Sequence, residues 1–191
     1  MNRTIKGYVK GMEAEDGQRV ARFVASTAGV DRHGDIVEQT WELGAYMKNP
    51  VILQNHDYHA PVVGMATRAV VEDGALVIDV LFDTSDHNPD GRRLADQVAR
   101  GFVRAVSVGF RPSTVTPRSS LPEGDPRKAD RGYVLGGNEL LELSIVSVPA
   151  NAEALAAKGL AGPTIDEIVA RVRAEIEADA RAEASQDWWD Q

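Results

Sequence analysis

Alternating apolar and polar positions dominate the first two thirds of the chain. "TIKGYVKGM" and "RVARFVAST" flank the turn-like "EDGQ" and predict an opening hairpin. "NPVILQNHD" predicts a strand after a short helical patch, "WELGAYMK". "PVVGMATRAVVE" and "ALVIDVLFD" enclose "DG", the strongest short hairpin signal in the sequence. "GFVRAVSVGF" places Val106, Val108 and Phe110 on one face of a further strand, and Ala105, Ser107 and Gly109 on the other. "NELLELSIVSVPAN" supplies the last strand.

Helical spacing is confined to fewer segments. "DHNPDGRRLADQVARGF" has an early Pro89, Leu94 and Val98 at i, i+4, and Gly101 at its stop. Asn151 is placed to cap a helix over "AEALAAKGL". After the Gly162-Pro163 break, Ile165, Ile168, Val169, Val172 and Ile176 form a helical stripe with charge elsewhere. "PSTVTPRSSLPEGDPRKADRG", residues 112–132, has no period and predicts a long polar loop, mobile or functional. There is no internal repeat, and this pattern of strands with few helices favours a barrel or sandwich over alternating βαβ units.

Composition narrows the function. The 191 residues, 43% of them hydrophobic, suffice for one globular domain with a tail. We divide the chain into a domain at 1–160 and an acidic helical tail at 161–191, because Pro163 onward holds eight acids against three bases, a net −5 of the total −8. That negative balance argues against general nucleic-acid binding. No apolar run reaches the roughly 18 residues of a membrane helix, and the N-terminus lacks a signal-peptide core, so a soluble protein without membrane association is expected. The absence of cysteine removes disulfides, thiolate metal sites and a cysteine nucleophile.

Ser107 draws attention because its face of the strand carries only the smallest side chains. A nucleophile must let a substrate backbone approach to about 3 Å, which bulky neighbours prevent. Serine also needs a base. Of the four histidines, His33 sits in a turn, His87 beside a helix start and His59 in a loop, whereas His56 ends a strand, fixed yet accessible. An imidazole in this role is oriented by a third group. Glu142 interrupts an apolar strand in which Leu141, Leu143 and Ile145 alternate against it. It is either that partner or, with Ser144 on the same parity, part of an exposed strand face. The two histidines of "HDYH" do not make a metal site, since a loop or strand does not hold both rings on one face.

These fragments, in this order, resemble the prohead (capsid-maturation) serine proteases of tailed bacteriophages, which are similar in fold to the herpesvirus capsid protease, assemblin. The resemblance runs through "KGYV", "STAGVDRHGDIV", "NPVILQNHD" with "PVVG", "GFVRAVSVGFRP" and "LLELSIVSVPAN". It implies a mainly β fold with helices, a closed barrel of about seven strands surrounded by helices. It implies Ser107 as nucleophile and His56 as base. Glu142 stands where assemblin-like enzymes carry a second histidine, with His59 as the competing third member. Backbone donors for the oxyanion are expected near Ala150 and Asn151. The resemblance further implies a serine endopeptidase without metal or organic cofactor, a homodimer or higher oligomer, packaged inside the immature capsid in the host cytoplasm. There it trims scaffold and major capsid protein, and itself. The rival reading is a non-catalytic assembly or scaffolding protein that retains the fold.

Overall fold

The computed structural model describes residues 12–13 and 19–156. The acidic tail, its helical stripe and most of the first half of the opening hairpin lie outside the described residues. Nine strands form one sheet: β1 (Met12–Glu13), β2 (Arg19–Thr27), β3 (Ile36–Val37), β4 (Trp41–Glu42), β5 (Val51–Gln54), β6 (Gly64–Glu72), β7 (Ala75–Phe82), β8 (Ala105–Pro117) and β9 (Tyr133–Val146). One α-helix, α1 (Pro89–Ala99), is found among the described residues.

The sheet is ordered β1-β2-β7-β6-β5-β9-β3, with β4 and β8 also on β9. β9 is its hub. One edge of it is tiled in parallel by β3 at Val134, β4 at Asn138 and β5 at Leu143–Ile145, while its other edge carries β8 antiparallel along nearly its full length.

The expected closed barrel ringed by helices is not what forms. Closure needs a continuous ladder joining the sheet's ends. Here the gap between β2 and β8 is crossed only by isolated bridges, Phe23 to Ala156 and Ala105 to Leu155, so the sheet is an open, curled half-barrel. The same strap explains why the helix expected after Asn151 does not form over its described residues, 152–156. Val24 N–H donates to the Leu155 carbonyl (3.0 Å) and Val106 N–H to that of Ala154 (3.1 Å), holding residues 154–156 extended. "WELGAYMK" likewise splits into the two-residue β4 and a single 3₁₀ turn at Tyr46–Lys48.

Local signals account for the regular elements. Asp73 and Gly74 both take positive φ (49° and 73°), the backbone of a two-residue hairpin turn that matches the strand twist between β6 and β7. In α1, Pro89 follows the cap Asn88, whose side-chain oxygen accepts from Gly91 N–H at 2.9 Å. Its Leu94, Ala95 and Val98 are buried against Phe23, Ile78 and Val80 of the sheet. Each large side chain so buried contributes roughly 1.5–3 kcal/mol.

Two further expectations change. Residues 112–117 are not loop but the outer half of β8, pairing Pro112 with Asn138 and Pro117 with Tyr133. The remaining segment to 132 is pinned. Buried Arg118 donates to the carbonyls of Arg127 (2.7 Å) and Gly34 (2.8 Å), and Tyr133 N–H donates to Asp35 (2.8 Å). Second, β9 contains a bulge. Gly109 faces Glu142 but Phe110 faces Leu140, so Leu141 is left over, 48% exposed. The bulge resets the alternation and lets Leu140, Leu143 and Ile145 all reach the core.

Candidate active site

The site is assembled where β5, β8 and β9 run side by side. β8 and β9 pair Ser107 with Ser144 and Gly109 with Glu142, and directly opposed residues of an antiparallel pair share one face. β5 lies on the other edge of β9, with Leu53 level with Ser144. Two residues beyond β5's paired segment, the chain turns sharply. Asn55 and His56 both adopt left-handed backbone, φ 53° and 57°, uncommon for residues other than glycine. Asn55 N–H is anchored to the Ile145 carbonyl at 3.0 Å and Asp57 N–H to that of Gln54 at 3.1 Å.

The turn brings the imidazole back over β9. His56 Nδ1 and Glu142 Oε1 are 2.7 Å apart. An ionised carboxylate only accepts, so Nδ1 is the nitrogen placed to donate, and in the neutral ring Nε2 then keeps its lone pair, the tautomer a general base needs. The Glu142 side chain is 1% exposed and that of His56 is 39% exposed, which buries the charge and leaves the ring reachable. The carboxylate's second oxygen accepts from Ser144 Oγ at 2.7 Å. The exposed-face reading of Glu142 and Ser144 is therefore wrong, because both are fully buried. Glu142's negative charge is felt nearby. Burial first, and then this charge, raise the pKa of the Tyr46 and Tyr58 hydroxyls above the ordinary tyrosine range, and Tyr46 donates to the Val51 carbonyl.

Neither His59 nor Asp57, the other titratable group beside His56 in the chain, is joined to its ring by a described contact. Asp57 Oδ1 accepts from the backbone N–H of His59 (2.9 Å) and Ala60 (3.3 Å), shaping the turn itself. His59 is exposed, and no described contact joins it to His56. Ala150 and Asn151 lie in the turn beyond β9. The Ala150 carbonyl accepts from Arg32 N–H at 3.1 Å, and Asn151 Nδ2 donates to Thr27. No described hydrogen bond joins either to Ser107.

The bare face of β8 has a cause that the strand pattern alone did not suggest. A Cβ on Gly109 would collide with Glu142 Oε1. Ser107 itself is only 8% exposed and Ala105 6%. Gly109 therefore makes room for the protein's own carboxylate, which reaches His56. Sequence reasoning missed Gly109 and Ser144 as members of this site. The available signal was their spacing, each two residues from a candidate on its own strand.

The sequence has relatives. Residues 36–164 match the family described as caudovirus prohead serine protease. The chain belongs to that family. It is a protease family, and its matched region contains the whole His56, Ser107, Glu142 and Ser144 cluster. The chain is 27% identical over 154 residues, covering 77% of it and 67% of the relative, to the "Prohead protease" of Escherichia phage T5. It is 31% identical over 144 residues to the "Capsid polyprotein" of Pseudomonas phage PAJU2, covering 73% of the chain and 20% of that relative. No solved structure matches it.

Proposed function

We propose that this protein is a serine endopeptidase of capsid maturation, with Ser107 as nucleophile, His56 as general base and Glu142 as the group that orients and charges the base. The observation carrying this reading is the 2.7 Å contact between His56 Nδ1 and buried Glu142, on the strand whose register sets Ser144 opposite Ser107. In the reaction, Nε2 takes the Ser107 hydroxyl proton as Oγ attacks the scissile carbonyl. The imidazolium so formed is stabilised by Glu142 and then returns the proton to the leaving amine. Cross-strand partners stand about 5 Å apart at Cβ, which sets Ser107 beside Ser144, and no described hydrogen bond joins Ser107 to His56.

Its substrates are scaffold and capsid-protein extensions inside the immature capsid, and the protease also cleaves itself. A relative whose chain is called a capsid polyprotein supports a working place beside capsid protein. The pinned loop and the β8 extension make residues 112–132 a poor place for self-cleavage.

Two measurements test the reading. A fluorophosphonate should label the wild-type protein and not Ser107→Ala. Mass spectrometry after co-expression with the capsid protein should show cut products with the wild type alone. Labelling and cutting that persist in Ser107→Ala would overturn the assignment and favour the non-catalytic assembly role.

A further inference from the structure

We propose that Ser144 is the positioning residue of this site, a single hydroxyl that sets both the backbone of the base and the orientation of the acid. This rests on the assignment of His56 and Glu142 above. Ser144 is 0% exposed and uses its hydroxyl twice. It donates to Glu142 Oε2 at 2.7 Å and accepts from His56 backbone N–H at 3.0 Å.

Those two bonds constrain each other. A hydroxyl has one proton. The His56 amide can only donate, so it takes a lone pair, and the proton is left to point at Glu142. The carboxylate then presents Oε2 to Ser144 and Oε1 to His56, which fixes its plane. Fixing that plane fixes the imidazole, with its proton on Nδ1 and the lone pair of Nε2 turned outward. The amide bond has a second use. Asn55 and His56 are consecutive left-handed residues, a conformation that costs about 1 kcal/mol or more at each and persists only when surrounding contacts hold it. Ser144 is the side chain that holds the second of them.

The alternative is a serine that merely fills a small buried space. Labelling kinetics with a fluorophosphonate separate the two roles, because affinity for the probe and the inactivation rate constant are read independently. Ser144→Ala should lower the inactivation rate constant about ten- to a hundredfold, the range expected from one hydrogen bond to a charged group. Probe affinity should stay within about twofold, because a positioning role acts on the reacting state. Ser144→Thr keeps the hydroxyl and should recover most of the rate, while Ser144→Cys keeps the volume with a weaker donor and should remain slow. If Ser144→Ala does not fold, the cysteine variant carries the same comparison. The proposal is overturned if Ser144→Ala or Ser144→Cys reacts within twofold of wild type, or if threonine is as slow as alanine. Ser107→Ala separates this from the underlying reading. Continued labelling there defeats the nucleophile assignment, whereas lost labelling with a wild-type rate in Ser144→Ala defeats only the role of Ser144.

Discussion

Asp79 on β7 and Glu142 on β9 are equally buried, each 1% exposed, in the interior of a strand. Both meet a basic side chain carried by a neighbouring strand or the turn beyond it. Asp79 takes the guanidinium of Arg22 in a two-point grip, Nε to Oδ1 at 2.5 Å and Nη2 to Oδ2 at 2.7 Å. Glu142 gives one oxygen to His56 and the other to a serine. Arginine is charged at every working pH, and its planar fork satisfies both oxygens of Asp79 at once. That pair is closed. An imidazole can gain and lose a proton, and the His56 side chain is 39% exposed, so the second pair faces outward with a nitrogen to spare. Burial of a carboxylate therefore does not distinguish the two pairs. The chemistry of its partner does.

The sharpest test of that contrast is removal of each charge in turn. Glu142→Gln should lower turnover by up to about 10⁴, as the corresponding change does in a Ser-His-Asp protease of another fold, with little effect on substrate binding. Asp57→Asn and His59→Gln should stay within a few-fold in the same cleavage assay. A larger loss in His59→Gln than in Glu142→Gln would return the histidine pair to the site.

Asp79→Asn should do the reverse. Breaking a buried ion pair from one side leaves a guanidinium uncompensated and costs about 3 kcal/mol, since the Arg22 side chain is still 15% exposed. Denaturant unfolding should show the loss, while activity per folded molecule stays at the wild-type level. A folded Asp79→Asn with weakened catalysis would mean that the two pairs are coupled, and the contrast would fail.

Gly109→Ala is expected to affect both properties, less strongly. Its new methyl group meets the Glu142 carboxylate, and overpacking of this kind costs about 1–3 kcal/mol. If Glu142 swings away to relieve the contact, activity falls more than stability does. If the strands part instead, the unfolding midpoint drops and residual activity is normal per folded molecule. Comparison with Gly109→Ser separates crowding from any new hydrogen bond.

How much of this was legible beforehand depended on where the determining interaction lies. The β6–β7 hairpin and α1 were readable because their signals are local: "DG" at a two-residue turn, and Asn88-Pro89 before Leu94 and Val98. Ser107 and Glu142 stood out because each breaks its strand's pattern, and His56 because it follows the end of one. The bulge at Leu141 has no local signal, since it is defined by which β8 residue faces which on β9. Residues 112–117 read as loop because an edge strand tolerates proline and polar side chains that a central strand does not. The strap at 154–156 exists only because β2 and β8 leave a gap for it. Openness of the sheet is likewise a property of its two ends, which no single segment encodes.

The smallest expected effect comes from a third ion pair on the same side of the comparison as Asp79. Arg68 Nη2 donates to Glu72 Oε1, and the Glu72 side chain is 40% exposed. The Arg68 hydrogen bond outweighs desolvation and holds the Glu72 pKa below the usual carboxylate range. Folding therefore favours the ionised form. The stabilisation is fully present above the carboxylate's unfolded value and is lost as the pH falls through its lower, folded value, where the group is neutral in both states. Exposure and salt screening limit it to about 0.5 kcal/mol or less. Glu72→Gln should thus unfold slightly earlier than wild type at neutral pH and low salt. The two unfolding curves should converge as the pH is lowered below the carboxylate's folded value, and the gap should narrow in about 1 M salt, where the screening length is about 3 Å. A gap that instead persists at low pH would show that the glutamate acts through packing rather than charge. A gap as large as that of Asp79→Asn would show that burial contributes nothing to the difference between the pairs.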